Sequence, residues 1–331
     1  MKKILITGAS GFIGSFIVEE ALRRGMETWA AVRRSSSLRY LQDQRIHLLE
    51  LDLQHEDKLM EQLRPHCFDY IVHAAGATKC SHPDDFFSVN RDGTAHLLHA
   101  VKALEMPVER VVFLSSLSVC GAIHETLPYV PITEADTPRP NTHYGRSKLE
   151  AERVAVQSGL PVVILRPTGV YGPRERDYFI MAKSIKDHVD FAVGFQRQDI
   201  TFIYVKDVVD AVFLALTASG VVGRAYFLTD GQVYQSRTFS NLIHEALGRP
   251  WWIRIKAPVW LLRLVCDAGE WYGRRTGRLV ALNKDKFNIL RQRNWQCDIA
   301  PACSELGFQP QYDLRRGVEE TIRWYRENKW L

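Results

Sequence analysis

The stretch KKILITGASGFIGSFIVEEALRRG, Lys2 to Gly25, decides the fold. KKILIT is a β-rich run. In GFIGSFIVEEALRRG the apolar residues Phe12, Ile13, Phe16, Ile17, Ala21 and Leu22 repeat as one helical stripe, and Gly25 stands where a helix C-cap belongs. Between the two, Gly8, Gly11 and Gly14 are spaced G-x-x-G-x-x-G. Glycines permit a tight turn and let the backbone approach a pyrophosphate. The helix N-terminus behind them offers N–H donors and the positive end of a dipole. A lone glycine motif is weak evidence, but its place between strand and helix predicts a dinucleotide site. That site is expected to use Gly8, Ser10, Gly11, Phe12, Ile13 and Gly14.

Working outward, short β-rich runs alternate with helical patterns. ETWAAV, IHLLELDL, FDYIVHAAG and VERVVFLSS read as further strands, NRDGTAHLLHAVKAL as a helix, and LPVVILRPTGVYG as a sixth strand. The expected class is α/β: a Rossmann, doubly wound parallel sheet with helices on both faces. TFIYVKDVVDAVFLAL begins as a strand and continues as a helix. Regularity falls beyond about Asp177. The expected division is a dinucleotide-binding domain over 1–176, with part of 197–234 returning to it, and a smaller, mainly helical substrate or lid domain over 177–331.

Composition narrows the classes. The 331 residues are 46% apolar and 24% charged, ordinary for a soluble globular chain. The net charge of +5 comes without a Lys/Arg block, so nucleic acid is not expected as a partner. Six scattered cysteines with no C-x-x-C argue against zinc and for a reduced, cytoplasmic setting; no metal site is expected. The apolar run after MKK is too short for a signal peptide, and no run suits a membrane span. PVWLLRLVCDAGEWYG, Pro258 to Gly273, comes nearest, but Arg263, Asp267 and Glu270 interrupt it, so a core or lid helix is expected.

The end of the second strand selects the dinucleotide. An NAD site carries an acid there to hold the ribose hydroxyls. This chain has AVRRSSS, where Arg33, Arg34 and Ser36 would welcome a 2′-phosphate. NADP is therefore expected over NAD. Asp52, followed by Leu53, can accept from an adenine amino group or serve a helix start. Ala74, Ala75 and Gly76 in HAAG are small enough to leave room for the cofactor.

In THYGRSKLEAE, Thr142 to Glu152, Tyr144 and Lys148 lie one helical turn apart on the same face. Taken alone, the segment reads as an exposed helix start with Lys148–Glu152 and Arg146–Glu150 ion pairs. Glu150 and Glu152 are expected to face solvent or a partner subunit. Gly145 is expected to keep the space beside the phenol clear.

TGASGFIG, LDL, HAAG, VNRDGT, FLSSLSVCG, YGRSK and LRPTGVYGP follow one another in the order of the extended short-chain dehydrogenase/reductase family. The chain resembles that family along nearly its whole length, most specifically through Pro173. Its tail is similar to the branch of 3β-hydroxysteroid dehydrogenases and dihydroflavonol reductases. The resemblance implies a homodimer acting on a small molecule. Tyr144 is implied as general acid/base, its phenol lowered by the nearby Lys148 cation, which also reaches the nicotinamide ribose. Ser116, five residues before Gly121, is implied to bond the substrate oxygen, and Asn90 to organise the site or cap a helix. Pro167, Thr168 and Val170 match the segment along the nicotinamide, and Ser115 is expected at the cofactor or in the shell around it. Thr78, Ser118, Cys120 and Arg174 are candidate substrate contacts, Arg174 otherwise pairing with an acid and Cys120 otherwise plain core.

Three departures from the family pattern bear on the reaction. Leu117 and Ser118 replace the Asp-Glu pair of the dehydratases. Gly169 replaces the Asn with which nucleotide-sugar epimerases grip a diphosphate. Cys120 replaces the Tyr of V-Y-G. The expected activity is an NADP-dependent interconversion of alcohol and ketone on an apolar, sterol- or flavonoid-like substrate. Trp251, Trp252, Trp260, Trp271 and Tyr272 are expected in its pocket, in a lid or in core. A nucleotide-sugar epimerase or reductase is the first alternative, and a non-catalytic dinucleotide sensor or scaffold the second.

Overall fold

The computed structural model describes residues 1–276, 280 and 282–331. β1 (Lys3–Thr7), β2 (Glu27–Val32), β3 (His47–Glu50), β4 (Tyr70–His73), β5 (Arg110–Leu114) and β6 (Val162–Pro167) lie in the order β3-β2-β1-β4-β5-β6. Ala225–Leu228 adds a seventh strand outside β6, and every pairing is parallel. In β1, Ile4 and Ile6 enter one core while Leu5 enters the other. That period of two, with both faces apolar, is what a sheet covered on both sides requires.

α1 (Phe12–Arg23) and α7 (Val205–Thr217) cover one face. The other is covered by α2 (Glu56–Leu63), α4 (Gly93–Ala103) and α5 (His143–Gln157). α3 (Pro83–Phe87) runs into α4 through a π-helical turn, Ser88–Asp92.

LPVVILRPTGVYG is not one strand. β6 stops at Pro167, and the Thr168 hydroxyl bonds the Thr201 carbonyl at 3.0 Å. Gly169–Tyr171 then pairs in parallel with Phe202–Tyr204, outside the main sheet.

α6 (Asp177–Lys186), α8 (Thr238–Ala246) and α11 (Leu314–Glu327) enclose a third core built on Tyr171, Tyr204, Phe239, Val318 and Tyr325. α9 (Val259–Thr276) and α10 (Lys284–Arg291) lie against each other. A parallel ribbon joins Val189–Val193 to Ile253–Ala257. The aromatic residues expected here in core or pocket are mostly on the surface. Trp251, Trp260 and Trp271 are 68%, 65% and 64% exposed, and Tyr272 is exposed too. Only Trp252 is half-buried, stacked on His244 at 4.2 Å with Arg254 over its ring.

Candidate active site

The glycine turn has the shape its spacing demands. Gly8 has φ +69°, and a Cβ there would stand 2.6 Å from the Ala74 carbonyl oxygen. A Cβ on Gly14 would stand 2.1 Å from the Gly8 carbonyl oxygen. Both obstacles are backbone, so neither can yield. Gly11 is the N-cap of α1, exposed and without a capping side chain. The first N–H groups of the helix, among them those of Phe12, Ile13 and Gly14, lack i−4 carbonyls within it. Ser10 is half-buried in the same turn. A bare helix N-terminus behind a side-chain-free turn fits a pyrophosphate. Gly14→Ala is expected to abolish dinucleotide binding and to cost about 1–3 kcal/mol of stability. Fluorescence titration with NADPH and a thermal melt test this; unchanged affinity would refute the assignment.

Polar side chains connect this turn to the reactive helix. His73, fully buried at the end of β4, contacts Thr7 Oγ1 through Nδ1 at 2.7 Å and Thr94 Oγ1 through Nε2 at 2.9 Å. Thr94 donates its own hydrogen to the Asn90 carbonyl, and Thr7 Oγ1 accepts from the Ala75 N–H. The network is therefore complete when His73 is neutral and carries its proton on Nε2. Burial first, and then the Lys148 charge, push the imidazole down to about 3, which agrees. Asn90 lies inside the π turn and caps no helix. Its Oδ1 accepts from the Ala77 N–H at 2.7 Å, and its Nδ2 donates to the Ala77 carbonyl and to Ser147 Oγ. Ser147 in turn donates to the Tyr144 carbonyl.

α5 begins at a Thr142 cap whose hydroxyl accepts from the Gly145 N–H. Lys148 is buried. Its Nζ donates to the Leu114 carbonyl at 2.6 Å and lies 4.2 Å from the Phe113 ring centre. An ammonium has three donors, so two stay available. A Cβ on Gly76 would lie 3.7 Å from that nitrogen, which sets the HAAG end beside the lysine. The Tyr144 side chain is half-buried and Ser116 is close enough to act on its phenol electrostatically; the Ser116 Oγ accepts from the Ser118 N–H. Lys148 does not lower the phenol here. Burial raises it above its ordinary value and Ser116 offsets only part of that. Burial likewise lowers the Lys148 ammonium to about 7, with Glu152 opposing.

Several expected contacts have other roles. Glu152 faces neither solvent nor a partner: it is buried and bonds Arg166 twice, at 2.9 and 2.7 Å. Ser115 gives its hydroxyl to Glu152. Glu150 pairs with Arg153 rather than Arg146. Gly145 does not clear space for the phenol; a Cβ there would meet the Ser118 carbonyl oxygen at 2.4 Å, so the glycine lets α5 approach that segment. Cys120 is core, packed with Val119, Ile132 and Phe227, its thiol pushed up to about 12 by burial. Arg174 bonds Ser15 and Glu19 of α1 and lies between the Phe16 and Tyr40 rings, which leaves no substrate role.

The remaining candidates sit around the ends of the strands. Arg33 and Arg34 are exposed just past β2, and Ser36 Oγ accepts from the Arg33 N–H. Among the described residues neither arginine pairs with an acid. The Asp52 carboxylate is engaged locally, with the Gln54 N–H and the His55 ring. The Leu53 carbonyl meets the His96 ring. Ala74 and Ala75 are half-buried and Thr78 is exposed. Pro167 ends β6, and Val170 packs between two cores.

A cleft opens beside Tyr144, lined by Cys80, Pro83, Phe86, His143, Gly273 and Val280. The Phe86 and Tyr144 ring centres are 6.3 Å apart. Asp285 of α10 closes one end. Its carboxylate accepts from the His143 N–H at 2.9 Å and the Tyr144 N–H at 3.2 Å. The sequence reading missed Asp285, Phe86, His73 and Thr94. His73 stood inside the HAAG motif, and its type could have flagged it; nothing local marked Asp285.

Known proteins resemble the chain in sequence and fold. The model of the NAD dependent epimerase/dehydratase family matches residues 4–228. A 3β-hydroxysteroid dehydrogenase/Δ5→4-isomerase of Mycobacterium tuberculosis is 28% identical over 98% of this chain and 90% of its own. A UDP-glucose 4-epimerase of Vibrio cholerae is 25% identical over 97% of this chain and 95% of its own. Among solved structures, a dTDP-glucose 4,6-dehydratase of Bacillus anthracis in complex with NAD superposes with a TM-score of 0.79 at 21% identity, covering 100% and 98% of the two chains. A nicotinamide dinucleotide suits the glycine turn, and the chain belongs to the NAD-dependent epimerase/dehydratase family as an enzyme of the extended short-chain dehydrogenase/reductase type, acting on CH–OH groups.

Proposed function

We propose that this protein is an NADP-dependent oxidoreductase that interconverts a secondary alcohol and a ketone on an apolar, sterol- or flavonoid-like substrate. One observation carries the reading: Tyr144, with Ser116 near its phenol and Lys148 one turn on, packs against Phe86, which lines a cleft with Pro83 and Val280 on its apolar side and Glu270, Lys284 and Asp285 on its charged side. The bound dinucleotide supplies or accepts hydride. Tyr144 gives the proton to the ketone oxygen or takes it from the alcohol. Ser116 would hold that oxygen, and Lys148 would use its remaining donors on the ribose. Asn90 fixes the loop at Ala77 against α5 and so sets the distance between Gly76 and Lys148. Residues 177–331 supply most of the substrate side, in a cytoplasmic homodimer.

The steroid dehydrogenases among the relatives support the apolar substrate. The epimerase and dehydratase relatives favour a nucleotide sugar. Against that reading, a side chain at Gly169 would begin 2.7 Å from the Tyr178 hydroxyl, so the position has no room for a diphosphate-gripping Asn without displacing Tyr178. Assay with NADPH and a panel of ketosteroids, flavonoid ketones and keto-sugars separates the two; turnover confined to keto-sugars would reject the apolar substrate.

Arg33 and Arg34 support NADP, because among the described residues no acid pairs with them. NADPH is expected to bind about tenfold or more tightly than NADH, since hydrogen bonds to charged groups contribute roughly 1.5–3 kcal/mol. Arg33→Ala with Arg34→Ala should erase the difference. A preference for NADH in the parent protein would overturn the assignment.

A further inference from the structure

Twelve of the twenty exposed large hydrophobic side chains among the described residues fall in Phe191–Phe195 and Trp251–Tyr272. They form one surface. In the ribbon, Phe191 is registered with Ile255, and Phe191, Ile253 and Ile255 are all exposed while the alternate residue, Asp190, is buried against Arg254. The ribbon leads through Pro258 directly into α9, and a Cβ on Gly194 would touch Val259 at 3.3 Å, so the ribbon's end abuts the start of the helix. Along α9, Leu262, Cys266 and Gly273 face inward. Trp260, Leu261, Leu264, Val265, Trp271 and Tyr272 face out, with Arg275 at the end of the same stripe. Monomeric soluble proteins rarely expose so much contiguous apolar surface without using it.

We infer that this face, the outer side of α9 together with the ribbon Val189–Val193/Ile253–Ala257, is a contact for the surface of an anionic phospholipid bilayer. Three observations select that occupant. No described helix is long and apolar enough to cross a membrane, so the contact lies in the plane of the interface. Trp and Tyr, which prefer the boundary between headgroups and acyl chains, supply much of the surface. Residues 249–276 hold six Lys/Arg against two Asp/Glu, and Lys256 and Arg275 lie over the rings of Phe195 and Trp271 at 4.8 and 5.9 Å. Cations bordering aromatic side chains match anionic headgroups above an apolar layer. A second copy of this chain suits the face less well, since a two-fold contact would set these cations against their own counterparts.

The test is flotation of the full chain with vesicles of phosphatidylcholine plus phosphatidylglycerol, against phosphatidylcholine alone and no vesicles. It needs no substrate and reads independently of the proposed reaction. The protein is expected to float with the mixed vesicles, less in high salt, and weakly with phosphatidylcholine alone. Trp260→Ser with Leu264→Ser should weaken partition roughly a hundredfold, with unchanged melting and NADPH binding because both side chains are exposed. Should that variant misfold, Lys256→Glu with Arg275→Glu gives a second reading: the preference for anionic vesicles should vanish. Absence of flotation by the parent protein overturns the inference. Equal flotation on neutral vesicles overturns its electrostatic part. A parent dimer that dissociates in the Ser variant, in sedimentation without lipid, assigns the face to a second copy instead.

Discussion

Tyr144→Phe is expected to lower turnover roughly 10²–10⁴-fold, the contribution of a positioned general acid or base, while NADPH still binds. The change removes one oxygen from a half-buried ring whose backbone is held by Asp285 and Ser147. The ring itself and α5 should stay in place. Steady-state rates and a binding titration on the same preparation separate chemistry from folding. The pH profile gives the sign. With the phenol held above its ordinary value by burial, Tyr144 is protonated at neutral pH and ready to donate to a ketone oxygen. The phenol itself therefore does not limit ketone reduction at neutral pH, so reduction should fall only as the Lys148 ammonium, near 7, loses its proton, while alcohol oxidation needs the phenolate. Substantial turnover by the Phe variant would exclude Tyr144 as the proton carrier.

The largest stability effect is expected at Glu152. Its carboxylate is the double partner of Arg166 and the acceptor for Ser115, and both charged side chains are shielded, 5% and 10% exposed. Glu152→Ala strands a buried guanidinium, a loss of about 3–5 kcal/mol. Glu152→Gln retains shape and one acceptor and should lose less. Chemical denaturation measures both, and a loss under about 1 kcal/mol for Ala would show the pair to be unimportant. A second readout distinguishes charge from packing. Glu152 opposes the burial that lowers Lys148 to about 7. Without it the ammonium titrates lower still, so neutral lysine predominates at neutral pH. The Gln variant should then recover rate as pH falls below 7, which a purely structural defect would not do.

These two residues mark the limit of what could be read along the chain. The dinucleotide turn was legible because its cause is local: a period of two before Gly8, a helical stripe after Gly11, and steric demands that only glycine meets. Tyr144 and Lys148 were legible because a helix places i and i+4 on one face. The break at Thr168 was missed because its reason, the hydroxyl bond to Thr201, lies 33 residues away. Glu152 read as a surface charge because α5 was judged from its own composition, whereas its setting comes from Arg166 on a strand beneath it. For Arg174 and Cys120 the second of the two readings holds: α1 supplies the acid for one, and Phe227 and Ile132 the wall for the other. The exposed Trp residues reverse the error: residues expected inside lie at the surface, Trp251 stacked on the half-buried His188 and Trp271 bordered by Arg275.

The Asp285 contact also bears on assembly in time. The backbone N–H groups of His143 and Tyr144 are held by a carboxylate 142 and 141 positions later. A growing chain acquires the glycine turn and the first five strands long before that carboxylate emerges from the ribosome, since domains form from the N-terminus during synthesis. The backbone at the tyrosine is therefore pinned only after the glycine turn and the strands around it have been made.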